Sequence, residues 1–177
     1  MRAATSLAVI SSQTKKKMNK HIITNFLLAA FLLVSGYSYG QDQKATDDKI
    51  LSEYFAKNKI KATKTASGLY YVIHKQGIGE NAKVGQQVSM LYYGYLLDGK
   101  RFDGNMDKNY TPVGEPFSFP LGAHRVISGW DEGVQLLNKG ARATLYLPSG
   151  LAYGPNGVGP IPPNAILAFD VEVAAIN

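Results

Sequence analysis

The run Leu167-Ala168-Phe169-Asp170-Val171-Glu172-Val173 limits this chain most, because every odd-numbered position is bulky and apolar. Successive side chains of a strand point to opposite faces, so the run specifies a strand with one face buried in a core. The same grammar extends back to Gly68, in short β-like runs separated by Gly, Pro and Asp. Leu69 to Ile73 reads as a strand and Gln87 to Leu97 as a longer one, while Phe117-Ser118-Phe119 and Ala143 to Leu147 alternate. Asp98-Gly99 stands between the long strand and Lys100-Arg101-Phe102, and that dipeptide is a strong two-residue hairpin signal. Only one segment has a helical period: Trp130, Val134 and Leu137 fall at i, i+4 and i+7 and end near Gly140. One helix against an antiparallel sheet is an α+β arrangement.

Upstream, Ile50, Leu51, Tyr54 and Phe55 form an apolar stripe at helical spacing between Thr46 and Asn58, with Asp47 and Asp48 in the first turn and Lys57 near the end. The charges suit a helix dipole, and the stripe predicts a short amphipathic helix packed on the main domain. It is too short to form a dimerisation domain alone, so a monomer is expected, with a weak dimer through the 46–58 helix as the alternative. Lys57 to Ala66 is polar and basic and reads as a linker whose charges face solvent.

Ile22 to Val34 is apolar apart from Thr24 and Asn25, follows Lys15, Lys16, Lys17 and Lys20, and precedes small residues. This is the pattern of a secretory signal peptide over residues 1–40. Ser38-Tyr39-Gly40 puts small side chains three residues and one residue before a cleavage point, so the mature chain would begin at Gln41. A membrane-spanning helix needs roughly 20 apolar residues and this run is shorter, which predicts no stable span after cleavage. Export follows, to the periplasm first, with secretion or an uncleaved anchor as alternatives. Met18 followed by Asn19, Lys20 and His21 is a second candidate start. The expected organisation is leader 1–40, helix and linker 41–67, and main domain 68–177.

The net charge of +6 would suggest nucleic acid if it were spread over the fold. Five of the 19 basic residues and none of the 13 acidic ones lie in residues 1–40, leaving 14 against 13 beyond them. The exported part is near neutral, so a nucleic-acid partner is not expected. Zero cysteines exclude disulfides, thiolate metal sites and cysteine nucleophiles. There is no G-x-S-x-G elbow, H-E-x-x-H, P-loop or G-x-G-x-x-G opening a helix, so neither a cofactor nor a metal is expected. His124 is the one histidine placed to act as acid or base, and a lone loop histidine is more often solvated. What the sequence does offer is aromatics beside turn residues: Tyr92-Tyr93, Phe102-Asp103, Phe117, Phe119, Trp130, Tyr153 and Phe169. Such a set suits an apolar pocket; the competing reading is that these rings are simply core.

These residues sit in recognisable order. P-F-S-F-P-L-G at 116–122, V-I-S-G-W-D-E-G-V at 126–134, L-A-Y-G at 151–154 and I-P-P-N-A-I-L-A-F-D-V-E at 161–172 resemble the FKBP-type peptidyl-prolyl isomerases, and L-L-D-G-K-R-F-D at 96–103 fits the same family. The resemblance spans about Gly68 to Ile176 and implies a twisted antiparallel sheet wrapped around one short helix. It implies that Tyr92 is the pocket tyrosine, Phe102-Asp103 the F-D pair, Phe117 a wall and Trp130 the floor. Val126-Ile127 match the pair whose Ile N–H meets a ligand carbonyl, Tyr153 the tyrosine whose hydroxyl donates to substrate, and Phe169 the far side. Ile161, which opens the I-P-P-N stretch, joins the substrate-binding set. Arg125 stands where an acidic residue is common in well-known members, Pro160 replaces an aliphatic residue, the 156–159 loop is one residue shorter than forms placing a histidine there, and Gly104 to Glu115 is expanded.

The resemblance further implies X-Pro bond rotation in proline-containing, unfolded or newly exported polypeptides, without a covalent intermediate, and a place for macrolide immunosuppressant-type ligands. Asp103 has two readings: a buried acid that orients Tyr92, or a group acting on the substrate carbonyl. Two non-catalytic alternatives are a chaperone-like binding module and a structural envelope protein using the fold as a scaffold.

Overall fold

The computed structural model describes residues 42–177, so the leader, its cleavage point and the Met18 start lie outside the described residues. Helix α1 covers 42–58. Nine strands follow, interrupted by one α-helix: β1 Thr63–Lys64, β2 Tyr70–Lys75, β3 Ile78–Asn81, β4 Gln87–Leu96, β5 Arg101–Gly104, β6 Phe117–Pro120, α2 Ser128–Gly133, β7 Asn138–Lys139, β8 Arg142–Leu147 and β9 Leu167–Ile176. The main sheet runs β1-β2-β8-β9-β4-β5 with β6 also on β4, every pair antiparallel, and β3 pairs with β7 separately. The expected α+β architecture is the one observed.

Period-two patterning explains the central strands. Leu167, Phe169, Val171 and Val173 of β9 join Val88 and Met90 of β4 and Ala143, Leu145 and Leu147 of β8 on the face that packs against α2. Trp130, Val134 and Leu137 are all buried there as their spacing predicts, but the α-helix ends at Gly133 and continues as a 3₁₀ turn, Val134–Leu136. A Cβ on Gly129 would lie 2.5 Å from Leu147 Cδ2, and one on Gly133 2.7 Å from Leu145 Cδ1. Two glycines four residues apart thus let α2 lie directly on β8. At the hairpin, Gly99 N–H donates to Leu96 O at 2.8 Å and Lys100 N–H to Asp98 Oδ1 at 2.9 Å, closing the Asp98-Gly99 turn.

The opposite face is covered too. Leu51 and Phe55 of α1 bury themselves against Tyr70, Tyr146, Ile166 and Ala168, so Ala168, on the side of β9 that also carries Asp170 and Glu172, is fully buried. Leu91 and Tyr93 of β4 pack with Met106 from the long connection after β5. The stretch after α1 is not a solvated linker throughout. Lys64 lies in β1, pairs with Asp48 of α1 and sits over the Tyr70 ring at 5.2 Å. That pair holds the Asp48 carboxyl below its usual range, first through the Lys64 hydrogen bond and then through Tyr70.

Gly94 connects sheet and pocket. It pairs with Phe169 of β9 and Asp103 of β5, and a Cβ there would lie 2.7 Å from Phe102 Cε2 and 2.9 Å from Phe169 Cε1. Gly94→Ala is expected to lower unfolding free energy by about 1–3 kcal/mol through overpacking. Urea titration tests this, and a loss under about 0.5 kcal/mol, the range of an ordinary surface change, would mean that the two rings move aside freely.

Candidate active site

A cavity of about 240 Å³ opens between α2 and the sheet, lined by Tyr92, Asp103, Phe117, Arg125, Val126, Ile127, Trp130, Tyr153 and Phe169. Each comes from a different structural commitment. Tyr92, Phe117 and Phe169 project from β4, β6 and β9, Asp103 from β5, Trp130 from the first turn of α2, and Val126-Ile127 from the segment entering that helix. Tyr153 lies between two 3₁₀ turns, Ser149–Leu151 and Gly154–Asn156.

Trp130 is the centre of the ring set. Its indole lies 5.1 Å from Tyr92 at an interplanar angle of 87°, 5.4 Å from Phe169 at 82° and 6.3 Å from Phe117 at 67°. Edge-to-face contacts of this kind suit aromatic quadrupoles and leave the cavity walled by carbon. Trp130 is only 4% exposed, and its Nε1 is a buried polar atom with no hydrogen-bond partner among the described residues. Phe117 and Tyr153 remain 44% and 39% exposed at the mouth.

Few polar groups reach this cavity. Tyr92 donates from its hydroxyl to Asp103 Oδ2 at 2.9 Å, and Gly104 N–H donates to Asp103 Oδ1 at 2.7 Å, so both carboxylate oxygens are engaged. Asp103 is solvent-exposed, which corrects the expectation of a buried acid: β5 ends beside it, and water reaches the edge strand. Burial, and then the Asp103 hydrogen bond, push the Tyr92 hydroxyl well above the ordinary tyrosine range. Burial and the Asp103 charge push Tyr153 up as well. Both phenols therefore stay protonated donors at neutral pH. The Ile127 carbonyl accepts from Trp130 N–H at 2.9 Å and Asp131 N–H at 3.2 Å, while its own N–H has no partner among the described residues.

Two residues of the expected set stand back from the cavity. Phe102 packs behind Phe169, with ring centroids 5.5 Å apart, and Ile161 is buried in the core cluster. Phe119, expected to be core, is buried and stacks on Phe117 at 5.7 Å. His124 is almost fully exposed and is not among the lining residues.

Two supporting residues were not visible in the sequence. Asn105 accepts from Tyr92 N–H at 2.7 Å and donates to Met90 O at 3.0 Å and Glu115 O at 2.9 Å, bridging β4 to the long connection. Asp131, 6% exposed, accepts from Gly122 N–H at 2.9 Å and His124 N–H at 3.0 Å. An acid in the first turn of a helix was a weak hint to Asp131; nothing pointed to Asn105. No cluster of metal-ligating side chains occurs among the described residues, and no helix there is long and apolar enough to cross a membrane.

Comparison with known proteins places these features in a lineage. The profile described as FKBP-type peptidyl-prolyl cis-trans isomerase matches residues 79–174. "FKBP-type peptidyl-prolyl cis-trans isomerase FkpA" of Aeromonas hydrophila is 47% identical over 127 residues, covering 71% of this chain and 45% of that protein. The protein of the same name from Escherichia coli strain K12 is 39% identical over 169 residues, covering 92% and 59%. The chain thus spans about half the length of these curated relatives. The crystal structure of AtFKBP13 superposes with a TM-score of 0.61 at 33% identity, covering 67% of this chain and 100% of that one. With the sheet, the short helix and the ring-lined cavity all where such a domain requires them, the chain belongs to the FKBP-type peptidyl-prolyl cis-trans isomerase family.

Proposed function

We propose that the protein accelerates cis/trans rotation of X-Pro bonds in exported, unfolded polypeptides. The observation that carries this is a cavity floored and walled by aromatic rings, with a few fixed hydrogen-bond groups and no nucleophile at its floor. Amide resonance sets a barrier of roughly 18–20 kcal/mol and separates charge between oxygen and nitrogen. Twisting the bond removes that separation. A carbon-walled cavity therefore disfavours the planar ground state more than the twisted transition state, and Trp130, Tyr92, Phe117 and Phe169 supply the wall. The free Ile127 N–H and the Tyr153 hydroxyl are placed to hold flanking carbonyls while the other side of the bond turns. Asp103 acts as a positioning residue for Tyr92, since both its oxygens are already engaged.

A signal-peptide leader supports export to the periplasm, and the same cavity would receive macrolide ligands. Burial of Leu51 and Phe55 against the chain's own sheet supports a monomer, although Ile50 stays 42% exposed on α1. The exposed mouth residues Phe117 and Tyr153 favour one second reading, a binding module that holds unfolded chains without turning them over.

Exchange NMR on an Ala-Leu-Pro-Phe peptide, with protein beginning at Gln41, separates the two readings. Catalysed exchange is expected; none from folded protein would leave the binding module. Tyr153→Phe is expected to lose about two- to tenfold in kcat/KM, the worth of one hydrogen bond, and Asp103→Ala about tenfold or more with residual activity. Unchanged turnover in Tyr153→Phe would reject the role of its hydroxyl.

A further inference from the structure

Resting on the isomerase reading, we infer that Arg125 makes this site select prolines flanked by an acidic side chain. Two of the nine lining residues carry formal charge, Asp103 and Arg125. Asp103 is satisfied within the protein by the Tyr92 hydroxyl and the Gly104 N–H. Arg125 is exposed and makes no ion pair or side-chain hydrogen bond among the described residues. Those neutral donors leave the Asp103 charge in place, so of the two lining charges only the guanidinium can attract an acidic side chain.

The backbone that leads into Arg125 is fixed. The buried Asp131 carboxylate takes the N–H groups of Gly122 and His124, the residues three before and one before Arg125. His124 has φ of 54°, a left-handed conformation that a non-glycine residue keeps only when its surroundings fix it. Two residues further on is the Ile127 N–H, unpartnered among the described residues, so a substrate chain whose carbonyl docks there enters the cavity that Arg125 also lines. A guanidinium offers planar, forked donors matched to a carboxylate. An exposed pair of this kind changes an equilibrium by about two- to fivefold.

The test measures kcat/KM by exchange NMR on paired peptides differing only by Glu against Gln, with that residue scanned over the two positions before and the two after proline. At one position or more, the wild-type Glu/Gln ratio is expected to be about two- to fivefold, falling toward one as salt is raised. Arg125→Lys should retain a preference, Arg125→Gln should bring the ratio to one or below because Asp103 is then the remaining lining charge, and Arg125→Glu should invert it. Equal ratios in wild type and Arg125→Gln at all four positions would overturn the inference. Failure of wild type to accelerate either peptide would instead reject the isomerase reading. In that case, Kd values from chemical-shift titration of the same peptides read the Arg125 preference directly, and equal Glu and Gln affinities would reject it.

Discussion

Trp130→Ala will remove about 3–5 kcal/mol of stability and most of the affinity for proline ligands. The indole is 4% exposed and lies within 6.3 Å, centroid to centroid, of Tyr92, Phe117, Phe119 and Phe169. Alanine would leave a void bordered by four rings that are themselves fixed to β4, β6 and β9, so the walls cannot collapse to fill it. Residual cavity volume is what drives such losses to the upper end of their range. Trp130→Phe provides the graded comparison. It keeps a ring on the floor and removes an N–H that has no acceptor among the described residues, so part of the lost packing is offset and less than half the alanine penalty is expected. Urea unfolding with unchanged slope measures both losses, and peptide titration measures binding. A Trp130→Ala loss below about 1 kcal/mol would show that the floor is not part of the core.

Legibility in the sequence followed length and periodicity. β9 and β4, ten residues each, alternate over enough positions to betray a buried face, and Asp98-Gly99 announces its own turn. β1 and β7, two residues each, and the fully exposed β3 carry no period and were not visible. α2 was legible through Trp130, yet the change to a 3₁₀ turn after Gly133 was not, because Gly133 keeps helical dihedrals and the spacing of Val134 and Leu137 reads alike in either helix. The site divides the same way. The rings were legible as a set only through their motif order, since an aromatic side chain in a strand is as consistent with core as with a cavity wall, and Ile161 and Phe102 lie on the core side of that line. Asn105, Asp131 and Asp47 were hidden for a different reason. Asn105 and Asp131 act through hydrogen bonds to backbone groups that no spacing rule connects to them, and Asp47 acts through Ser149, 102 residues away in sequence.

Asp47 gives the second large effect. The helix extends back to residue 42, so Asp47 lies past the first described turn of α1 and not in the first turn that the 46–58 reading gave it, and a helix dipole does not account for its position. The structure instead buries it to 1% exposure. Asp47 Oδ2 accepts from the Ser149 N–H at 2.8 Å and from the Ser149 hydroxyl at 2.7 Å, and Oδ1 accepts from Gln43 Nε2 at 2.7 Å. One carboxylate thus ties α1 to the 3₁₀ turn Ser149–Leu151, which leads into Tyr153. Asp47→Ala is expected to cost about 2–4 kcal/mol, because it strands two buried donors of Ser149 as well as removing charge-assisted bonds. Asp47→Asn, which keeps one acceptor oxygen, should lose roughly half as much. The functional consequence is local: hydrogen exchange at Ser149, Leu151 and Ala152 should quicken, and kcat/KM should fall through looser placement of the Tyr153 hydroxyl. A stability loss with no change in exchange over 149–152 would show that α1 braces the sheet without steadying Tyr153. Accelerated exchange there with kcat/KM unaltered would instead detach the Tyr153 hydroxyl from catalysis, as full activity in Tyr153→Phe would also do.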